Sequence, residues 1–248
     1  MKGGKILYFD KRIIYLVLGC LILSTVMSYL TNTSKLLGLI ISIPAVLIAI
    51  TFHEFAHAFA ADKLGDDTPR RQGRLSLNPL AHLDPVGSLL LLFAGFGWGK
   101  PVEVNPRNYN RDISMEKADA IVSIAGPLMN FALAIVFTLI YCAIYKFNSS
   151  FIVTQAGQIT MLFLTATISI NIGLGVFNLL PLPPLDGSKV IMPFLPYKAK
   201  SLFIEKEQIF YIVFVVTWIT GLAGYIISPV INLVSKGILK LGLLIFGL

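Results

Sequence analysis

The chain has 248 residues, of which 56% are hydrophobic and 13% charged, with a mean hydropathy of +0.78. A water-soluble domain carries about 25% charged residues, so the composition excludes an ordinary soluble protein and points to an integral membrane protein. The net charge of +7 does not signal nucleic-acid binding, because the basic residues cluster between apolar runs, where they act as topology signals.

The N-terminus carries Lys2, Lys5, Lys11 and Arg12 ahead of an apolar stretch reaching Leu30. No small-x-small cleavage site follows, so the stretch reads as a retained first span rather than a signal peptide. Further runs approach the roughly 20 residues needed to cross a bilayer. Expected spans are 13–30, 36–61, 118–145, 152–180, 208–227 and 229–247. Lys236 and Lys240 interrupt the last, which either spans or lies at the interface. Cys20 and Cys142 sit inside apolar runs without a CxxC partner and read as lipid- or core-facing side chains.

Lys and Arg number four in the N-terminal tail, eight in 62–117 and four in 181–206. Basic loops mark the cytoplasmic side, so a multi-pass chain with six spans is expected in the cell membrane with both termini cytoplasmic. The expected fold is all-α and polytopic. It forms a single domain over 1–248, with a core of about 36–195 and accessory spans at 13–30 and 208–247.

Between the second and third expected spans, Leu89–Phe96 is too short to cross and reads as re-entrant or interfacial. Arg74–Pro79 and Pro101–Pro106 each alternate apolar and polar residues and end in Asn-Pro, which predicts a small β-hairpin or sheet. A free edge of that sheet is a candidate docking strip for extended substrate, and a purely structural hairpin is the competing reading. Gly95, Gly97 and Gly99 flank Phe96 and Trp98 and suggest a tight turn, with Trp98 as an interface anchor.

The second span holds His53-Glu54-Phe55-Ala56-His57. On a helix the two imidazoles lie one turn apart on one face, about 6 Å along the axis. Such a pair suits one Zn²⁺, with Glu54 placed to act as general base. Ionisable residues inside a span cost a few kcal/mol by insertion scales, and here three fall within five positions. The bland alternative is a buried polar network between helices.

A catalytic zinc takes three protein ligands. The chain has three histidines, so the third ligand is His82 or a carboxylate. The strongest carboxylate is Asp186, which follows a span through a proline-rich break and precedes Gly187. The charge count brings it to the same membrane side as His57. Taken alone, Asp186 also fits a helix cap. His82 either lines the substrate path or bonds a local backbone group.

His53-Glu54-Phe55-Ala56-His57 in one span, with Asn178 and Asp186-Gly187 after a later one, resembles the site-2 protease family. Gly126-Pro127-Leu128-Met129-Asn130 also looks like a family motif, with a kinked, closely packed helix as the alternative reading. The resemblance runs from about Pro44 to Leu195. It implies an intramembrane zinc metalloendopeptidase that cuts transmembrane protein substrates, with His53, His57 and Asp186 as ligands and Glu54 as base. It further implies that Asn178 stabilises the tetrahedral intermediate, and the absence of PDZ or CBS modules suggests a compact subgroup. The rival readings are a membrane protease with a glutamate as third ligand, a non-catalytic metal-binding scaffold and an ion transporter. Glu205 and Glu207 lie in a charged loop, which disfavours the first, and the chain shows none of the repeated halves typical of the last.

Overall fold

The computed structural model describes residues 27–94 and 98–248. The contacts divide the chain into two units, 1–41 and 42–248, and every candidate site residue lies in the second. Among the described residues, four helices are long and apolar enough to cross a membrane: α1 (Thr33–Lys63), α4 (Met115–Phe147), α6 (Gln155–Asn178) and α10 (Leu222–Phe246). Between and after them lie the shorter helices α2 (Thr68–Arg71), α3 (Pro85–Ala94), α5 (Ser149–Ile152), α7 (Asp186–Ile191), α8 (Tyr197–Glu205) and α9 (Glu207–Ile219). The expected first span, 13–30, lies almost wholly outside the described residues, as do Gly95, Phe96 and Gly97.

The expected spans 36–61, 118–145 and 152–180 fall within a turn of α1, α4 and α6. The last two expected spans are divided differently. Helix α9 stops at Ile219 after 13 residues, short of a bilayer crossing, and the chain turns at Gly221 with φ +75°. Glycine adopts that left-handed conformation without a steric cost. Pro229, expected to open the last span, instead lies inside α10, whose 25 residues absorb it. Hydropathy cannot see the break, because Leu222 and Ala223 beyond the turn are as apolar as the helix before it.

The core of the bundle joins α4, α6 and α10 through Ala134, Ile172, Val176, Ala223 and Ile227. Lipid tails are as apolar as leucine, so small residues that admit close packing hold such helices together. Gly242 faces Cys142 and Thr138, and Gly175 faces the Phe131 ring. The outward surface is apolar: Leu233 and Leu244 are 72% and 70% exposed.

The predicted hairpin is corrected. Among the described residues there is no strand. Residues 74–78 are irregular, with a bend at 75–76, and lead into a single 3-10 turn at Pro79–Ala81, and 98–105 run as an irregular strap. The reason lies in where the strap's backbone groups find partners. The buried Arg74 guanidinium donates to the Lys100 and Pro101 carbonyls. The Val102 amide donates to Glu54 Oε2 at 3.1 Å and the Asn105 amide to Asp66 Oδ2 at 2.6 Å. Side chains thus take the bonds that a neighbouring strand would have supplied.

Candidate metal centre

Two helices meet along matched four-residue stripes. On α1 the stripe is Ala49, His53 and His57; on α4 it is Val122, Gly126 and Asn130. Residues four apart share a helix face, so each stripe is a continuous ridge. The His57 Nδ1 lies 2.7 Å from the Val122 carbonyl, and His53 Nδ1 lies 2.7 Å from Asn130 Oδ1. Between them Gly126 presents no side chain: a Cβ built there would lie 2.4 Å from His57 Nε2. Pro127 adds to this opening, because without an N–H it leaves the Ser123 carbonyl outside the helical ladder.

Asp186 comes from the N-terminal turn of α7, which packs on α4. Its close fit is enforced by Gly187, where a Cβ would lie 2.3 Å from the Leu179 carbonyl oxygen. Asp186 Oδ2 stands 3.2 Å from His53 Nε2 and 3.3 Å from His57 Nε2, and the two Nε2 atoms are 3.0 Å apart. His53, Glu54 and His57 are all buried.

The donor set fits a metal. A backbone carbonyl accepts only, so His57 carries its proton on Nδ1 when neutral, and the Asn130 oxygen demands the same of His53. Both Nε2 lone pairs then face one another and a carboxylate oxygen that has no hydrogen-bond partner. Three acceptors in mutual contact repel unless a cation lies between them. Tetrahedral ligands at about 2.0–2.1 Å from zinc stand about 3.3 Å apart, which agrees with the observed triangle.

Glu54 lies beside this cluster and shares with it a cavity of about 430 Å³. Asn178, Asp119, Lys189, Phe177 and Tyr211 also line that cavity. The Asn178 amide donates to the Leu174 carbonyl one turn back at 3.0 Å, so this residue stands on the cavity wall. His82 is away from the cluster and fully buried; its Nε2 lies 2.6 Å from the Ser76 carbonyl. Its backbone oxygen accepts from the Lys100 amide at 2.7 Å, so it anchors the strap, in agreement with the backbone-bonded reading.

Two contributors were not legible: the Val122 carbonyl and the Val102 amide are main-chain groups and leave no side-chain signal. Asn171 is a third, and its side chain does leave a signal. It is a lone buried amide in an apolar span, a costly placement that does flag a functional position.

The pattern of Peptidase family M50 matches residues 102–221. The chain is 39% identical to "Putative zinc metalloprotease YwhC" of Bacillus subtilis over 201 residues, 81% of this chain and 90% of the relative. The chain belongs to Peptidase family M50. Another relative, "Putative zinc metalloprotease Rip2" of Mycolicibacterium smegmatis, is 32% identical over 184 residues, 73% of this chain and 67% of that protein. "Putative zinc metalloprotease MJ0611" of Methanocaldococcus jannaschii is 30% identical over 184 residues, 74% and 85% of the two chains. No solved structure matches the chain. The family match starts at Val102 and so takes in Asn130, Asn178 and Asp186 but not the histidine pair. The alignment with the Bacillus subtilis relative, over 201 of the 248 residues, is long enough that it takes in His53 and His57 as well.

Proposed function

We propose that this chain is a zinc-dependent endopeptidase of the cell membrane that hydrolyses a peptide bond within or near a transmembrane segment of its protein substrates. The observation that carries it is the triangle of His53 Nε2, His57 Nε2 and Asp186 Oδ2, with edges of 3.0–3.3 Å, whose three corners are all acceptors when the imidazoles are neutral. These three residues would hold one Zn²⁺ per chain. The metal, when bound, supplies a Lewis acid that acidifies water and polarises the scissile carbonyl.

The rest of the chemistry belongs to side chains of this chain. Glu54 accepts the proton of the attacking water and delivers it to the leaving amine as the C–N bond breaks. Its carboxylate is held for that task by the Val102 amide. Asn178 uses one amide hydrogen on the Leu174 carbonyl and has a second for the developing oxyanion, a contact worth about 3 kcal/mol of barrier. The apolar cavity wall restricts water around these groups, which strengthens each electrostatic contact. With basic loops on the cytoplasmic side, the centre faces the cytoplasm.

The test is Glu54→Gln in the purified full-length protein. Cleavage of a membrane-embedded reporter should be abolished while zinc stays bound. Asp186→Asn should lower the zinc content instead. An unchanged cleavage rate in Glu54→Gln rejects the protease reading, and unchanged zinc in Asp186→Asn removes that residue from the ligand set.

A further inference from the structure

Behind His53 runs a chain of buried amides that joins three helices. Asn130 on α4 and Asn171 on α6 are both 0% exposed. Asn171 Nδ2 donates to the Thr167 carbonyl at 2.8 Å, and Asn130 Nδ2 donates to the Ala49 carbonyl at 3.1 Å and to Asn171 Oδ1 at 2.9 Å. Asn130 Oδ1 then faces His53 Nδ1 at 2.7 Å.

The two carbonyls fix the direction of the whole chain. Which end of an asparagine is oxygen is normally assigned from its network, and here the network starts from groups that only accept. Thr167 O requires the nitrogen of Asn171, which turns its oxygen toward Asn130. That oxygen and Ala49 O require the nitrogen of Asn130, which turns its own oxygen toward His53. An acceptor at His53 Nδ1 places the imidazole proton there and leaves the Nε2 lone pair for Asp186 and the metal position.

We propose that Asn130 is a positioning residue that sets the tautomer and ring orientation of His53, and that Asn171 in turn locks Asn130. Buried hydrogen-bonding groups cost free energy unless every one is satisfied. A purely structural contact between α4 and α6 needs no asparagine pair, whereas a fixed tautomer needs a directed one. The proposal rests on the zinc reading above, because the orientation matters only if Nε2 is a ligand.

Zinc affinity by chelator competition, in the full-length detergent-solubilised protein, tests it with Asn130→Leu, Asn130→Asp, Asn171→Leu and Asn171→Asp. Asn130→Leu, similar in volume but without the acceptor, should weaken zinc binding by about 10–100-fold, the usual loss for a hydrogen-bonding partner of a ligand. Asn130→Asp keeps an acceptor for His53 and should bind zinc more tightly than Asn130→Leu, although it is worse for helix packing. A packing role predicts the opposite order. Affinity unchanged in Asn130→Leu, or Asn130→Asp no better than Asn130→Leu, overturns the proposal. If either position-130 variant does not fold, Asn171→Asp against Asn171→Leu decides by the same order, since only the former keeps an acceptor for Asn130. A wild-type protein that takes up no zinc refutes the zinc reading itself, a result distinct from equal affinities across a zinc-binding set.

Discussion

A Cβ on Gly126 would meet His57 Nε2 at 2.4 Å and Cε1 of both His53 and His57 at 2.7 Å. These are ring atoms at the ligand face, and both rings are tied at Nδ1, so neither can swing aside without losing its bond. Gly126→Ala should therefore cut zinc affinity at least about 10-fold, by analogy with disturbed ligand support. Alanine is the better helix former by about 1 kcal/mol, so a loss cannot be charged to α4 itself. Zinc content after dialysis at limiting metal, beside the helical circular dichroism signal, checks both halves.

The strap at 98–105 shows how an element without regular structure is fixed. Its amides and carbonyls are claimed by Glu54, Arg74, Asp66 and His82. Asp66 is its strongest anchor. The carboxylate is fully buried and accepts from the Thr68 amide and hydroxyl, the Asn105 amide and the Asn108 side chain. Burial alone pushes its pKa up, but these four donors together hold it below the usual carboxylate range. A lowered folded pKa stabilises the protein fully above the ordinary value near about 4, and that contribution fades as pH falls through the folded value. Asp66→Asn, which turns one acceptor into a donor facing donors, should cost about 2–3 kcal/mol at pH 7. The gap from wild type should narrow below about pH 4, as read from thermal unfolding across a pH series.

At the scale of the molecule, the centre ties α1 to α7 across about 130 residues of sequence, and the amide chain adds α4 and α6. A metal that binds only the folded form stabilises it by mass action, about 4 kcal/mol when free metal exceeds Kd a thousandfold. Removing zinc with a chelator should lower the thermal midpoint, and restoring zinc should recover it. Glu54→Gln should respond as wild type does, since Glu54 is no ligand in this reading. Asp186→Asn should respond much less. An equal midpoint with and without zinc would separate the centre from the stability of the fold.

How much could be read in advance differs by feature. Composition alone required a membrane, since 13% charge cannot clothe a soluble domain of this size. Spacing placed His53 and His57 on one helical face, because the 3.6-residue period is local. Asp186 was readable from its proline-rich setting and its charge-derived side of the membrane. Features that depend on partners distant in sequence were not readable. The strap alternates like a strand, yet side chains from α1 and the preceding loop take its backbone bonds. The break at Gly221 hides within an apolar run. Asn178 and Asn130 both lie in motif-like stretches, yet only the packing shows that Asn130 is the amide in contact with His53. The sequence by itself thus determined the solvent and the placing of the two histidines on one helical face, both set by composition and short-range period. Only the tertiary structure decided which groups orient the ligands, because hydrogen bonds between buried helices are fixed by packing across the fold.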